Sequence, residues 1–122
     1  MRTILIGAIA LYSSATLAMS ISEVIDSVLA HDELKIVSCS KAVLIGKGTI
    51  TEQQCKDNLP VITEKCKSEI LPGLPSKISS VEQADVLAGE ITTRMFVCQV
   101  SYSLGRNFVL TEKGPISLPN KQ

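Results

Sequence analysis

Side chains that build catalytic and ligand-binding sites are scarce in this sequence. Its 122 residues include no Trp, two Phe, two Tyr and one His. Sugars and nucleobases stack on flat aromatic rings, so a platform for either is not expected. The single histidine, His31, has no matching nucleophile and is interpreted as a surface residue near a helix end. We therefore predict a protein that is not an enzyme and has no catalytic residue.

Motifs for metals, nucleotides and redox chemistry are also missing. The cysteines form no Cys-x-x-Cys pair, which argues against a redox-active dithiol and against zinc, whose ligands usually come as close pairs. Residues 46–49, Gly-Lys-Gly-Thr, lack the full phosphate-binding pattern and are interpreted as a loop. We predict no metal site and no cofactor.

An excess of charge of one sign is missing too. The 12 Lys and Arg residues equal the 12 Asp and Glu residues in number, and the two signs are mixed along the chain. Nucleic acids and anionic membranes bind clustered basic faces. We therefore predict no nucleic-acid partner, and no membrane contact once the N-terminal segment has been removed.

The N terminus carries a short apolar run. Arg2 precedes an apolar stretch at residues 4–11, and small and polar residues follow as far as Ala18. This is the pattern of a secretory signal peptide, and it is shorter than the ~20 apolar residues that a membrane-spanning helix needs. We predict a signal peptide at residues 1–18 that directs export to the periplasm, with cleavage after Ala18 or, as a second choice, after Ser20. Residues 19–122 then form a single secreted domain by length.

Four cysteines remain in the exported part: Cys39, Cys55, Cys66 and Cys98. An even number of cysteines in a small exported domain predicts disulfides, here two of them. On one helix Cys55 and Cys66 would lie ~16 Å apart on the same face, whereas a disulfide needs Cα atoms within ~7 Å. If the last two helices form an antiparallel hairpin about residues 72–75, the preferred pairing is Cys39–Cys66 with Cys55–Cys98. The pairing Cys39–Cys55 with Cys66–Cys98 is nearly as good and stays open.

Apolar residues at three- and four-residue steps predict helices. They run over residues 21–29, from about 34 to 46, from Thr51 to about 70, and from Ser80 to Gly105, with capping boxes at Thr51 and Ser80. Pro60 is expected to kink the third helix or to begin a new one. On the second helix the residues expected on one face are Leu34, Val37, Lys41, Leu44 and Ile45. On the third helix this stripe consists of Cys55, Leu59, Ile62, Cys66 and Ile70. On the last helix it consists of Ala84, Leu87, Ala88, Ile91, Met95, Cys98 and Tyr102.

The predicted fold class is mainly α, a small helical bundle stapled by two disulfides. The alternative is an α+β fold with a C-terminal β-hairpin around residues 94–111, because β-branched and aromatic residues are frequent before Gly105. The helical spacing holds over five turns, whereas strand alternation is poor, so the helix is preferred. From about residue 111 an irregular C-terminal tail is expected.

In these features the chain resembles the periplasmic immunity proteins that bacteria with type VI secretion systems make against their own cell-wall-degrading effectors. The features are the signal ending at Ala18, the length of 122 residues, the cysteine arrangement on predicted helices and the lack of a catalytic set. The resemblance is greatest to those directed against a peptidoglycan-hydrolysing VgrG spike effector. It implies an antitoxin that occludes the active site of a secreted peptidoglycan-hydrolase toxin, often by inserting a side chain.

Polar residues on predicted turns are the candidates for partner binding: Lys47, Arg106, Asn107 and Lys113. The sequence is also compatible with a homodimer. Two other classes of function stay open. An envelope assembly or chaperone-like accessory protein would expose an apolar groove or a strand edge. A small periplasmic hydrolase would have a cleft with two carboxylates.

Overall fold

The computed structural model describes residues 19–119, so the predicted signal peptide lies outside the described residues. Four helices are followed by a β-hairpin, and this order confirms the mainly α fold class. The elements are α1 (Ile21–Leu29), α2 (Asp32–Gly46), α3 (Glu52–Glu69), α4 (Val81–Ser103), β1 (Asn107–Thr111) and β2 (Gly114–Leu118).

Side chains at the starts of α1, α3 and α4 satisfy backbone N–H groups that have no partner within the helix. Thr51 and Gln54 form the predicted capping box at the start of α3, with hydrogen bonds of 3.1 and 2.9 Å. The second predicted box is only half formed. Ser80 accepts from the Gln83 N–H, but the Gln83 side chain accepts from the backbone of Ser79 instead. These three helix starts are therefore encoded locally, within four residues of sequence, whereas the side chain of His31 makes no capping bond at the start of α2.

Helix α3 runs without interruption through Pro60. Of the two expected effects of this proline, the start of a new helix is therefore wrong. Proline has no N–H, so the carbonyl of Lys56, four residues earlier, has no donor within the helix. Helix α4 ends as predicted, because Gly105 takes a left-handed conformation with φ 70° directly after the C-cap.

Helix α4 lies at the centre of the fold and contacts every other element. Gln99 of α4 lies next to Ser38 of α2 and Thr63 of α3, and the side chains are joined by hydrogen bonds of 2.8 and 3.0 Å. Farther along, Gly46 of α2 lies close to Leu104. Helix α2 therefore runs in the same direction as α4. Helix α3 runs in the opposite direction, since Cys55 meets Ser103.

The disulfides are Cys39–Cys55 and Cys66–Cys98, so the preferred pairing is wrong and the alternative is confirmed. The reason lies in residues 70–80. This segment does not turn back tightly but follows α4, whose Arg94 donates to the carbonyls of Ile70 and Pro72 at 2.6 and 2.8 Å. The end of α3 is thus opposite Arg94, ~20 Å along α4 from its first residue.

The buried face of α2 also differs from the predicted stripe. Leu34, Ser38, Cys39 and Ala42 are buried, whereas Val37 and Leu44 are exposed. The disulfide of Cys39 and the hydrogen bond of Ser38 turn a mixed apolar and polar face inward. Apolar spacing alone did not identify that face. The stripes of α3 and α4 are confirmed, with Leu59, Cys66, Ile91, Met95 and Cys98 among the buried residues.

The C-terminal segment is a β-hairpin in antiparallel register from Asn107↔Leu118 to Thr111↔Gly114. The prediction of an irregular tail from about residue 111 is therefore wrong. The alternative hairpin at residues 94–111 is wrong in position, because α4 is helical as far as Ser103. Gly114, at φ 125°, provides the tight reversal, and Phe108 is buried against α4.

The buried apolar residues form two clusters, and each contains one disulfide. The larger cluster lies around α4 and contains Cys66–Cys98. The smaller cluster lies between the ends of α2 and α3 and contains Cys39–Cys55. A small core gains a large share of its stability from such crosslinks. The principal members of the two clusters are Val24, Ile25, Ile70, Ile78, Leu87, Ile91, Met95 and Phe108 in the first, and Ala42, Ile50 and Leu59 in the second.

Candidate protein-binding surfaces

Two turns meet at one end of the molecule, where α2 and α4 terminate. Gly46, the last residue of α2, packs so closely on its neighbours that a Cβ there would lie 3.0 Å from Leu104 Cδ2 and 2.8 Å from Thr49 Oγ1. The turn after α2 therefore lies against the turn after α4. We call the surface formed by Lys47, Arg106 and Asn107 the basic end.

Backbone geometry holds the residues of the basic end in place. Lys47 has a left-handed conformation, with φ 48°, as the C-cap of α2. The Arg106 N–H donates to the carbonyl of Ser101 at 2.8 Å, which folds the chain back across the end of α4. All three side chains of the basic end are exposed. The backbone of both turns is held by hydrogen bonds, and the polar ends of the three side chains are exposed to solvent.

The fourth predicted candidate, Lys113, lies elsewhere. It is exposed on the hairpin turn, at the far end of β1 from Asn107. The four residue steps from Asn107 to Thr111 alone span ~13 Å. The structure therefore brings three of the four candidate residues together and leaves Lys113 apart.

A disulfide lies in the small buried cluster against which Leu104, close to the basic end, packs. The Cys39–Cys55 bond, with Cα atoms 5.6 Å apart, joins the middle of α2 to the first turn of α3. The Ser103 hydroxyl contacts the Cys55 sulfur at 3.5 Å, which links the end of α4 to the same crosslink. The disulfide therefore links the middle of α2 to the start of α3, which in turn contacts the end of α4.

Charge is unevenly distributed between the two ends of the molecule. Seven of the 12 acidic residues lie in α1, at the start of α2 and in the first half of α4, away from the basic end. Lys41, Lys47, Lys56 and Arg106 lie towards the other end, accompanied by Glu52 and Asp57. The chain is neutral overall, and most of its acidic residues lie away from the basic end, in a region that also contains Lys35, Lys77 and Arg94. The seven residues are Glu23, Asp26, Asp32, Glu33, Glu82, Asp85 and Glu90.

A groove of about 640 Å³ lies between α2 and α3. We call it the α2–α3 groove. Its apolar part includes Leu59, which is 2% exposed, and Ile36, which is 56% exposed. Ten residues line it: Leu29, Asp32, Lys35, Ile36, Lys56, Leu59, Pro60, Thr63, Glu64 and Lys67.

Charged side chains surround this groove. Lys56 pairs with Glu52 at 2.9 Å and Lys67 with Glu64 at 2.8 Å, each pair lying within α3. The hydrogen bond to Glu64 raises the pKa of Lys67. The groove was not predicted from the sequence. The one local signal was Pro60, a proline inside a helical pattern, which lines the groove.

Tyr102 lies on another face, between α3 and the hairpin. Its hydroxyl donates to Glu69, and the Lys65 ammonium lies 4.1 Å from the centre of its ring. Burial, followed by the hydrogen bond to Glu69, raises the pKa of Tyr102 to about 12. A phenol that holds its proton so firmly acts as a structural donor at neutral pH, not as a base.

His31 and the cysteines offer no reactive arrangement. His31 is exposed and lines a small pocket of about 290 Å³ with Ser27 and Glu33, but no hydrogen bond joins the three side chains. All four cysteines are in disulfides and are not free to bind metal. Among residues 19–119 no group of three His, Cys, Asp or Glu side chains could hold a metal ion. The absence of metal, cofactor and catalysis stays a prediction.

Comparison with known proteins gives no match: no family model, no curated protein and no solved structure is similar to this chain. The resemblance to immunity proteins therefore depends on the sequence features alone. In the described part of the chain, every helix is too short or too polar to cross a bilayer. The two disulfides fit an oxidising compartment.

Proposed function

We propose that the protein is a periplasmic immunity protein that binds and occludes a secreted peptidoglycan hydrolase and so protects the producing cell and its kin. The observation that supports this proposal most is the basic end, where Lys47, Arg106 and Asn107 are exposed on two adjacent turns. A hydrolase that cleaves glycan strands has carboxylates in its cleft. A rigid projection carrying positive charge is complementary to such a cleft.

Rigidity is central to the proposed mechanism. An inhibitor whose binding surface is already ordered loses little conformational entropy when it binds, so more of the contact energy appears as affinity. The disulfide between α2 and the start of α3, together with the contact of Cys55 with Ser103 at the end of α4, supplies this order. A typical inhibitory interface buries about 800 Å² on each partner, which a domain of this size can provide around one of its ends.

Survival of bacteria tests the proposal. The chain is expressed with its signal peptide in cells that also export one member of a panel of cell-wall-hydrolase toxins to the periplasm. We expect rescue from at least one toxin, together with a complex of the two purified proteins. A matched form that begins at residue 19 and stays in the cytoplasm should give no rescue. Rescue by that cytoplasmic form, or no rescue from any toxin, would contradict the proposal.

The groove favours a second candidate, an envelope assembly or chaperone-like accessory protein. Such a protein binds segments of other chains, and an exposed apolar groove is the feature expected of it. Binding to a reduced, unfolded exported protein, with suppression of its aggregation, would distinguish this candidate. An immunity protein should bind its folded toxin and leave the aggregation of unrelated chains unchanged.

The hydrolase alternative has less support. Asp32 and Glu64 line the same groove, as two catalytic carboxylates would, but both are exposed, and Glu64 is already paired with Lys67. A catalytic acid is usually held in apolar surroundings so that it keeps its proton. We expect the purified protein to release no fragments from peptidoglycan, and measurable release would favour the hydrolase.

A further inference from the structure

We propose that one exposed side of α2 pairs with the same side of a second copy of this chain, in antiparallel orientation, with the twofold axis passing next to Val37. We call this side the outer face of α2. It consists of Glu33, Val37, Lys41 and Leu44, four exposed residues at helical steps of four, four and three. It shares no residue with the basic end. The inference goes beyond the immunity function, because it concerns the chain alone and needs no toxin.

Two apolar side chains of the outer face have large exposed surfaces. Val37 is 51% exposed and Leu44 is 69% exposed. They lie seven residues apart, close to two helical turns, so they form one apolar stripe along α2. Apolar residues at this spacing are the pattern by which two helices pack together. Covering them removes their surface from water, which is favourable in proportion to the area buried.

The charges of the outer face select a second copy as the occupant. Val37 lies midway between Glu33 and Lys41, one turn from each, and neither charged residue belongs to an ion pair within residues 19–119. The other two charged residues of α2, Asp32 and Lys35, line the α2–α3 groove instead. In an antiparallel pair centred on Val37, Glu33 of each copy lies opposite Lys41 of the other, so two opposite-charge contacts form. A parallel pair would place like charges together.

A pocket lies where this pairing places Leu44 of the second copy. Leu44 comes seven residues after Val37, so in the antiparallel pair it lies opposite Ala30, seven residues before Val37. His31 and Glu33, close to Ala30, line a pocket of about 290 Å³. The pocket therefore receives the exposed leucine, and the twofold axis repeats this contact. Its apolar lining consists of Val28, Leu34 and Ala88.

The size of this interface predicts a weak dimer. A standard protein–protein interface buries about 1,600 Å² in total, and interfaces below about 1,200 Å² are typical of transient complexes. One helix face and one leucine pocket on each copy form an interface of the smaller class. We therefore expect a reversible equilibrium between monomer and dimer that shifts with protein concentration.

Sedimentation velocity of the form that begins at residue 19, with both disulfides formed, tests the pairing without any other protein. We expect the average mass to rise from monomer towards dimer between about 10 μM and about 1 mM, the range of weak association. Leu44→Asp should weaken dimerisation at least about tenfold. Val61→Asp should leave it unchanged, although Val61 of α3 is 76% exposed. Both positions are exposed in the monomer, so both variants should fold.

Exchange of charges separates this pairing from a non-specific apolar contact. Glu33→Lys alone and Lys41→Glu alone each create two like-charge contacts across the axis, so each should weaken dimerisation about five- to tenfold. A mixture of these two variants should form a heterodimer about as strong as the parent dimer, because each contact again joins a lysine to a glutamate. Glu112→Lys, the same change on the exposed hairpin turn, is the control and should have no effect.

Three outcomes would overturn the proposal. The first is a monomer at every concentration. The second is a dimer that both Leu44→Asp and Glu33→Lys leave intact, which would place the contact on another face. The third is no gain in association when Glu33→Lys and Lys41→Glu are mixed, which would exclude the antiparallel pairing. Since no toxin is present, none of these outcomes depends on the immunity function.

Discussion

Ser38 and Gln99 are joined by a hydrogen bond of 2.8 Å, and neither residue has any exposed surface. Gln99 also donates to Thr63, so a single amide connects α2, α3 and α4. A buried polar group without a partner is costly, and this amide has partners on both its oxygen and its nitrogen. It therefore constrains the positions of three helices without leaving an unsatisfied atom in these contacts.

Gln99→Met keeps the approximate volume of the side chain but removes its donor and acceptor. We expect a loss of about 1–3 kcal/mol in the free energy of unfolding, because the Ser38 hydroxyl becomes buried without a partner. Denaturant unfolding of the oxidised protein measures this loss. Adding Ser38→Ala should restore part of the stability. Equal stability of Gln99→Met and the parent would show that the amide contributes nothing.

The two disulfides should differ in their contribution to stability. They close loops with sequence separations of 16 and 32 residues, for which the chain-entropy estimate is about 3 and 4 kcal/mol. We expect the Cys66→Ala/Cys98→Ala pair to melt at a lower temperature than the Cys39→Ala/Cys55→Ala pair. Peptide mapping without reduction should recover the Cys39–Cys55 and Cys66–Cys98 links. Free thiols in the protein purified without reductant would contradict this account.

Two glycines in helices predict opposite effects of the same substitution. Gly89→Ala should stabilise the protein by about 0.5–1 kcal/mol, because a Cβ there meets nothing and alanine is the better helix former. Gly46→Ala should destabilise it, because Thr49 and Leu104 leave no room for the methyl group. Thermal unfolding of the two variants compares them directly. Stabilisation by both would show that the close packing at the basic end is readily relieved.

Tyr102 should titrate at unusually high pH, and it should be the only residue that contributes to the phenolate signal. A form that begins at residue 19 has no other tyrosine, so the absorbance of phenolate reports this residue, and we expect a midpoint at pH about 12. The folded state holds the proton more tightly than the unfolded state, whose tyrosine pKa is about 10. Stability from this group is therefore present below pH 10 and lost as the pH rises towards 12.

Glu69→Gln provides the control for this titration. It removes the negative charge beside the phenol and should lower the pKa of Tyr102, while burial of the ring persists. Tyr102→Phe should abolish the signal. A midpoint near pH 10 in the parent protein would be inconsistent with the buried, hydrogen-bonded phenol.

Charge reversal at the basic end tests the proposed interface. Lys47→Glu combined with Arg106→Glu should reduce protection against a sensitive toxin and slow association of the purified proteins. Electrostatic steering can raise association rates by about tenfold or more. Lys77→Glu, an exposed residue towards the opposite end, is the matched control. Equal association rates for all three proteins, with the folds intact, would place the interface elsewhere.

The helices could be predicted from local patterns because their signals are short-range. Thr51 and Ser80 mark the starts of α3 and α4, and Gly105 marks the end of α4. The three- and four-residue steps from Ala84 to Tyr102 predict a helix although this segment is rich in β-branched residues. The hairpin was missed because β1 and β2 are five residues each, too short for alternation to be distinctive. The buried face of α2 was misassigned because Ser38 is held inward by a partner 61 residues away.

Local chemistry in the chain determined a helical protein with two crosslinks, because capping and apolar spacing act over a few residues. Tertiary structure alone decided which cysteines pair, where α3 lies along α4, and which turns meet at the basic end. These depend on residues 70–80 running alongside α4, an arrangement held by Arg94 and by contacts with the start of α1. Contacts between residues far apart in the chain leave no periodic mark in its sequence.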